Sequence, residues 1–306
     1  FVLFAMAAFF ASVMVAACLQ HAHYHSMRRE AAQDRQPMLY DRETFHVLTF
    51  VRTRMGEDLI NPLKGLYEAT EEGMWVYAGK AIFTMPSAQI GPTQWSGVVL
   101  TQYPSRSAYE AERATLVYEE ALRAFVEHYE QGMRRSALAN LLIPQVLLVK
   151  KGIRAARFTK SPYPFTPARE SMPGEIAQRI SENVLPRRAK HGLEMMARLR
   201  AEGQPGKPAV VVVNINKRGT PEQVARDKRY TNAMLGLMAE HGYGPLHHGD
   251  AESLSGDHDF DSVTLVYYPG TLFFADMISS TFFQSILSDK QLGDNQSTVT
   301  IPVLEL

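Results

Sequence analysis

The sequence predicts an α+β protein made of two tandem βαββαβ units behind one N-terminal membrane helix. Three observations lead there. First, "VLTQYPSRSAYEAERATLVYEEAL", Val99 to Leu122, returns in degenerate form as "TLVYYPGTLFFADMISSTFFQSIL", Thr264 to Leu287, at a constant offset of 165 residues. Second, apolar runs alternate with helical stripes in the same order around both copies. Third, "FVLFAMAAFFASVMVAACL" (Phe1 to Leu19) carries no charge, and as a helix it would span about 28 Å, close to a hydrocarbon core.

In chain order, residues 1–25 form the membrane segment and 26–44 a polar connector. The first repeat occupies 45–149 and opens with the alternating strand "FHVLTFV", Phe45 to Val51. Asn61-Pro62 starts a helix that closes at Gly73, and "MWVYAGKAIF" gives a second strand. The third strand, Gly97 to Tyr103, leads into a helix with Tyr118, Leu122, Phe125, Val126 and Tyr129 on one stripe. "LANLLIPQVLLV", Leu138 to Val149, is the expected fourth strand.

A helical, basic insert follows at 150–207, far longer than a usual connection. The second repeat, 208–306, starts with "AVVVVNI", a β-branched run suited to a central strand. Thr220-Pro221-Glu222-Gln223 is a capping box, and its helix ends at Gly242. Tyr243 to Gly249, the copied strand-turn-helix and Ser297 to Leu306 complete the unit. Val98, Leu100, Tyr103, Pro104 and Leu122 recur as Val263, Leu265, Tyr268, Pro269 and Leu287, while Trp95, Tyr109 and Tyr118 recur as Phe260, Phe274 and Phe283.

Composition narrows the function classes. The 306 residues balance 32 basic against 32 acidic side chains, which argues against a nucleic-acid partner needing a basic surface. A single cysteine excludes an internal disulfide or thiolate cluster. Walker loop, dinucleotide glycine fingerprint, Gly-x-Ser-x-Gly elbow and His-Glu-x-x-His are all missing from the sequence, so no cofactor is expected.

"VVLTQYPSRSAYEA" with Tyr118, and "VTLVYYPGTLFFAD" with Phe283, resemble the small domain-of-unknown-function proteins of the dimeric α/β-barrel superfamily. Their signature is a strand, an aromatic-Pro-Ser turn and a helix. The resemblance covers Phe45 to Val149 and Ala209 to Leu306. It implies two ferredoxin-like repeats forming an intramolecular dimeric α/β barrel, because a βαββαβ unit with both helices on one sheet face leaves the other face bare. Relatives in that superfamily include cofactor-free monooxygenases and haem-handling enzymes, working in the pocket between sheet and helices. Pro104-Ser105-Arg106 has drifted to Pro269-Gly270-Thr271, which speaks against two equivalent active sites.

Four residue groups are candidates for chemistry. On a helix, Cys18, His21 and His25 share a stripe, and His21 and His25 could hold a metal, haem or chlorophyll-type pigment; interfacial anchoring is the plainer account. "HHGDAESLSGDHDFD", His247 to Asp261, gathers metal-compatible side chains at a spacing of no known cage. His46, Trp95, Tyr103 and Asn214 could enter an inter-sheet pocket. Arg187, Arg188, Arg198 and Arg200 of the insert could meet anionic lipid or an acidic partner.

The resulting expectation is a single-pass membrane protein acting by contact, an accessory subunit of a larger complex of respiratory or photosynthetic type. Its partners would be other subunits and the bilayer. The alternative is an anchored monooxygenase-like or haem-handling enzyme. Arg28, Arg29 and Arg35 favour a cytoplasmic globular part, whereas Val15-Ala16-Ala17-Cys18 resembles a lipobox and would give an exported lipoprotein anchored through Cys18.

Overall fold

The computed structural model describes residues 2–168, 198, 209–254 and 258–304. After helix α1 (Val2–Ala32) come β1 (Phe45–Arg52), α2 (Ile60–Glu68), β2 (Met74–Met85), β3 (Gly97–Tyr103), α3 (Arg106–Arg113), α4 (Leu116–Arg123) and β4 (Glu127–Arg134). Helix α5 (Ala137–Ala156) precedes the second half: β5 (Val210–Lys217), α6 (Pro221–His241), β6 (Pro245–Ser253), β7 (Ser262–Tyr268), α7 (Thr271–Ile278), α8 (Thr281–Leu287) and β8 (Asp294–Pro302). The eight strands close into one barrel in the order β1-β3-β2-β8-β5-β7-β6-β4.

Each half has the strand order fourth-first-third-second, and the halves join edge to edge through two seams. At one, Gly79 to Met85 of β2 pair antiparallel with Pro302 to Ser297 of β8. At the other, Gln131 to Arg134 of β4 pair with Ser253 to Asp250 of β6. Closure leaves no free strand edge, which removes the aggregation liability of an open sheet. Inward side chains of both halves, among them Leu48, Leu100, Val213 and Leu265, then form one core. The 165-residue offset holds in three dimensions, because β1, β3 and α3 begin and end at that distance from β5, β7 and α7.

Two local expectations are corrected. The fourth strand of the first half is not Leu138 to Val149 but Glu127–Arg134, and the apolar run lies within α5. A run of twelve residues, ten of them apolar, is too long for a typical strand, and Ser136 caps it as a helix by accepting from the Ala139 amide. Glu127–Arg134 was hidden by its polar side chains, four of which are charged or amide groups; Glu130 and Gln131 are buried through hydrogen bonds to Arg113, Tyr118, Tyr129 and Glu252 rather than through apolar packing. Secondly, the helix after each Pro turn is two helices. Thr115 caps α4 and Ser280 caps α8, again 165 residues apart. The capping box at Thr220 and Gln223 forms as the sequence predicts.

Helix α1 has two parts with different surroundings. Phe4, Phe9, Phe10, Met14 and Leu19 are exposed, whereas His21, Tyr24, His25, Arg28 and Ala32 are buried. By length and composition the helix can cross a membrane, a description that an N-terminal signal sequence also meets. Its inner part and the connector cover one end of the barrel. Arg28 Nε donates to Asp34 Oδ2 at 2.8 Å, and Tyr24 donates to the carbonyl of Pro245 at 2.7 Å. Arg135 Nη1 donates to Gln36 Oε1 and to His247 Nδ1, and its Nη2 donates to Asn140. His247 Nε2 lies 3.2 Å from Asp34. Burial, with Arg135 and Arg28 close by, lowers the His247 pKa to about 3, so the ring is neutral. Arg28 and His247 hold the Asp34 carboxyl well below the carboxylate range despite its burial.

Candidate functional site

The two halves treat the space between sheet and helices differently. In the first it is filled. Trp75, Tyr118, Leu122 and Phe125 pack with Leu63 and Leu66 of α2, and Tyr103 donates to Glu112 Oε1 at 2.8 Å. The other carboxylate oxygen of Glu112 accepts from the amides of Glu71 and Glu72, so the polar tips of this core are satisfied.

In the second half the space is a cavity of about 970 Å³, near the upper end of the range for ligand sites. Its floor is the helix-facing side of the sheet: Val212 and Asn214 of β5, His248 of β6, Thr264 and Val266 of β7, Ser297 and Val299 of β8. The alternation of strand side chains puts these residues on one face and Val211, Val213 and Ile215 in the barrel core. Met234 and Met238 of α6, Phe274 and Met277 of α7, and Phe283 and Leu287 of α8 form the roof. Leu142, Ile143, Val146 and Leu147 of α5 make a side wall, and Arg218, Lys228, Lys290, Asp227 and Asp250 also border the space. Helix α6 has 21 residues where α2 has 9, which lets it bridge over a gap that α2 closes.

The polar floor is organised. His248 Nδ1 lies 2.8 Å from Thr264 Oγ1, and Ser297 donates to Asn214 Oδ1 at 2.6 Å. His248 is exposed to the cavity space; desolvation by the surrounding protein lowers its pKa, against the opposing pull of Asp250. In the tautomer that donates Nδ1–H to Thr264, the Nε2 lone pair is available to a ligand. The apolar walls suit a large, mostly hydrophobic ring system, and three cationic side chains against two acidic ones suit anionic substituents.

The sequence candidates are distributed rather than gathered. His21 and His25 come together, with ring centroids 4.4 Å apart, but they are buried beside the connector and do not line the cavity. His21 Nε2 lies 3.4 Å from the Met38 carbonyl. Asn214 is on the cavity floor, His46 is in the barrel beneath Tyr40, Trp95 packs on Phe50 and Tyr103 belongs to the filled pocket. Around His247 to Asp261, His247 turns inward, His248 enters the cavity, and Asp259 binds Lys217. Among the described residues no group of three metal-binding side chains exists. Arg198 donates to the Ile82 carbonyl and lies over the Phe83 ring; Arg187, Arg188 and Arg200 lie outside the described residues. Sequence reasoning missed His248 as a floor residue, although its strand position beside the inward-facing His247 carried the signal.

No family model matches the chain, and no curated protein does either. Several solved structures are similar at low identity. A candidate monooxygenase from Fusobacterium nucleatum is 8% identical, with a TM-score of 0.40 over 84% of this chain and 91% of that one. Chlorite dismutase from Candidatus Nitrospira defluvii is 8% identical, with a TM-score of 0.38 over 86% and 92%. A dye-decolorizing protein from V. cholerae is 11% identical, with a TM-score of 0.38 over 86% and 95%.

The accessory-subunit expectation is therefore corrected. A pocket plugged by aromatic side chains would have favoured it. The second half instead holds an open cavity.

Proposed function

We propose that this protein is a membrane-anchored enzyme of the monooxygenase-like or haem-handling class, with its one site in the second half. The observation that carries this reading is the apolar cavity of about 970 Å³ with His248, hydrogen-bonded to Thr264, on its floor. One half supplies the site and the other supplies the barrel partner, which accounts for the drift at Pro269-Gly270-Thr271 without loss of the fold.

The residues present fit a haem. The cavity has the volume, apolar walls meet the ring faces, His248 offers an imidazole oriented by Thr264, and Arg218, Lys228 and Lys290 border the space where carboxylates would sit. A bound haem would supply one-electron and peroxide or dioxygen chemistry. The chain's own contribution is to orient the ligand, exclude water with Met234, Met238 and Phe283, and tune the His248 imidazole through Thr264.

The same imidazole also supports a second reading without cofactor. His248 Nε2 can accept a proton from the acidic O–H or C–H of an aromatic substrate held against Val212 and Phe274. Titration of the purified full chain in detergent separates the two. A hemin Soret shift in the parent that is lost in His248→Ala supports the haem reading. Binding of menadione without a hemin shift supports the cofactor-free one. If neither ligand binds, the cavity is not an active site.

A further inference from the structure

From Ala137 to Val149 helix α5 is apolar apart from Asn140 and Gln145, yet only part of that surface meets protein. Asn140, Pro144 and Leu147 are buried against the barrel end. Leu142, Ile143 and Val146 face the cavity. The remaining stripe, Leu138, Leu141, Leu148 and Val149, lines no cavity and is exposed at 62%, 38%, 43% and 59%. A helix that is hydrophobic all round belongs in a protein core or in lipid, and among the described residues nothing covers this stripe.

Its position says which of the two applies. Helix α5 packs against α1, and Gln145 on the outward side donates to the Ala17 carbonyl at 2.9 Å. That contact falls where the exposed apolar part of α1 passes into its buried part. The apolar face of α5 is thus continuous with the candidate membrane anchor formed by the exposed part of α1. The apolar run also ends at Lys150-Lys151, of which Lys151 is exposed, as suits a helix meeting lipid headgroups.

We infer that α5 is seated in the membrane surface beside α1 and that the cavity is loaded through this wall from the lipid phase. Resting on the functional reading above, this makes the ligand a lipophilic molecule dissolved in the bilayer, a ring system carrying an isoprenoid or acyl tail. Leu142 and Val146 line the cavity while Leu138, Leu141, Leu148 and Val149 of the same helix are exposed on its other side, so the wall between lipid and cavity is one helix thick and made of side chains without polar groups. Such a ligand crosses it without entering water.

Two measurements on the full chain in phosphatidylcholine vesicles test this. In a Leu148→Trp variant, bromine-labelled acyl chains should quench the added emission at least twofold; Trp75 and Trp95, buried in the first half, give a background measured in the parent. Unchanged emission, the result if residues 169–197 or another protein cover α5, overturns the seating. A Phe283→Trp reporter in the cavity then follows binding. Adding Leu141→Glu and Leu148→Glu should leave quenching by menadione in detergent within twofold, and slow uptake of a four-isoprene naphthoquinone from vesicles at least tenfold. Equal uptake rates overturn loading from the membrane. If menadione and hemin both fail to quench the parent reporter, it is the functional reading of the cavity that fails, and the bromolipid result still decides where α5 sits.

Discussion

Replacing His247 by Gln should flatten the acid side of the stability curve by about one proton. In the folded chain the ring is squeezed between Arg135, which donates to Nδ1, and Asp34, 3.2 Å from Nε2. Its pKa is lowered to about 3, against about 6.5 in an unfolded chain. A lowered histidine pKa means that the unfolded state takes up the proton first. The stability contribution is therefore intact above pH 6.5 and is lost as the pH falls towards 3. Between pH 6 and pH 4 the loss from this one group is about 2–3 kcal/mol, an upper bound because the group is coupled to two guanidiniums and a carboxylate. Gln can present an oxygen to Arg135 and an amide proton to Asp34 without titrating, so the variant should fold. The assay is guanidinium unfolding of the detergent-solubilised chain at pH 7, 6, 5 and 4, followed by tryptophan emission. The wild type should lose stability with a slope steeper by about 1.4 kcal/mol per pH unit than the variant. Asp34 is present in both proteins, and its own contribution starts to fall only near the unfolded carboxylate pKa of about 3.9, at the lower edge of the window. Equal slopes for the two proteins would refute the buried neutral histidine.

Three further outcomes follow from the geometry. Asp34→Ala leaves Arg28 buried without its carboxylate and should cost about 3–5 kcal/mol, read as a fall in the unfolding midpoint at pH 7; a change under 1 kcal/mol would mean that α1 is not held by this pair. Gly249→Ala places a Cβ about 2.3 Å from the Arg134 carbonyl at the β4–β6 seam, so it should destabilise by about 2 kcal/mol or more; unchanged stability would contradict the seam register. Val212→Trp fills the cavity floor from the strand face opposite Val211 and Val213. It should abolish hemin or menadione binding with little change in the unfolding midpoint, and retained affinity would place the ligand elsewhere.

The sequence by itself determined the repeat and most of its elements. A 165-residue register of aromatic and apolar side chains survives because each half must present the same core face, and that face is local to its own strands. Caps such as Thr220 with Gln223 were equally legible, since three or four residues contain the whole interaction. The strand Glu127–Arg134 was not, because its polar side chains are buried through hydrogen bonds to partners as distant as Glu252. Only the tertiary structure decided how the two halves diverged. Whether a helix–sheet space is filled or open depends on the length and tilt of the covering helix and on which side chains meet across it. Trp75 with Tyr118 closes one space, whereas α6 spans the other and leaves room over His248. The roles of neighbouring histidines were settled the same way. His247 and His248 are adjacent in sequence, but strand alternation sends one into the ionic end of the barrel and the other into the cavity. No local pattern records which face of a strand will meet a charge and which will meet a ligand.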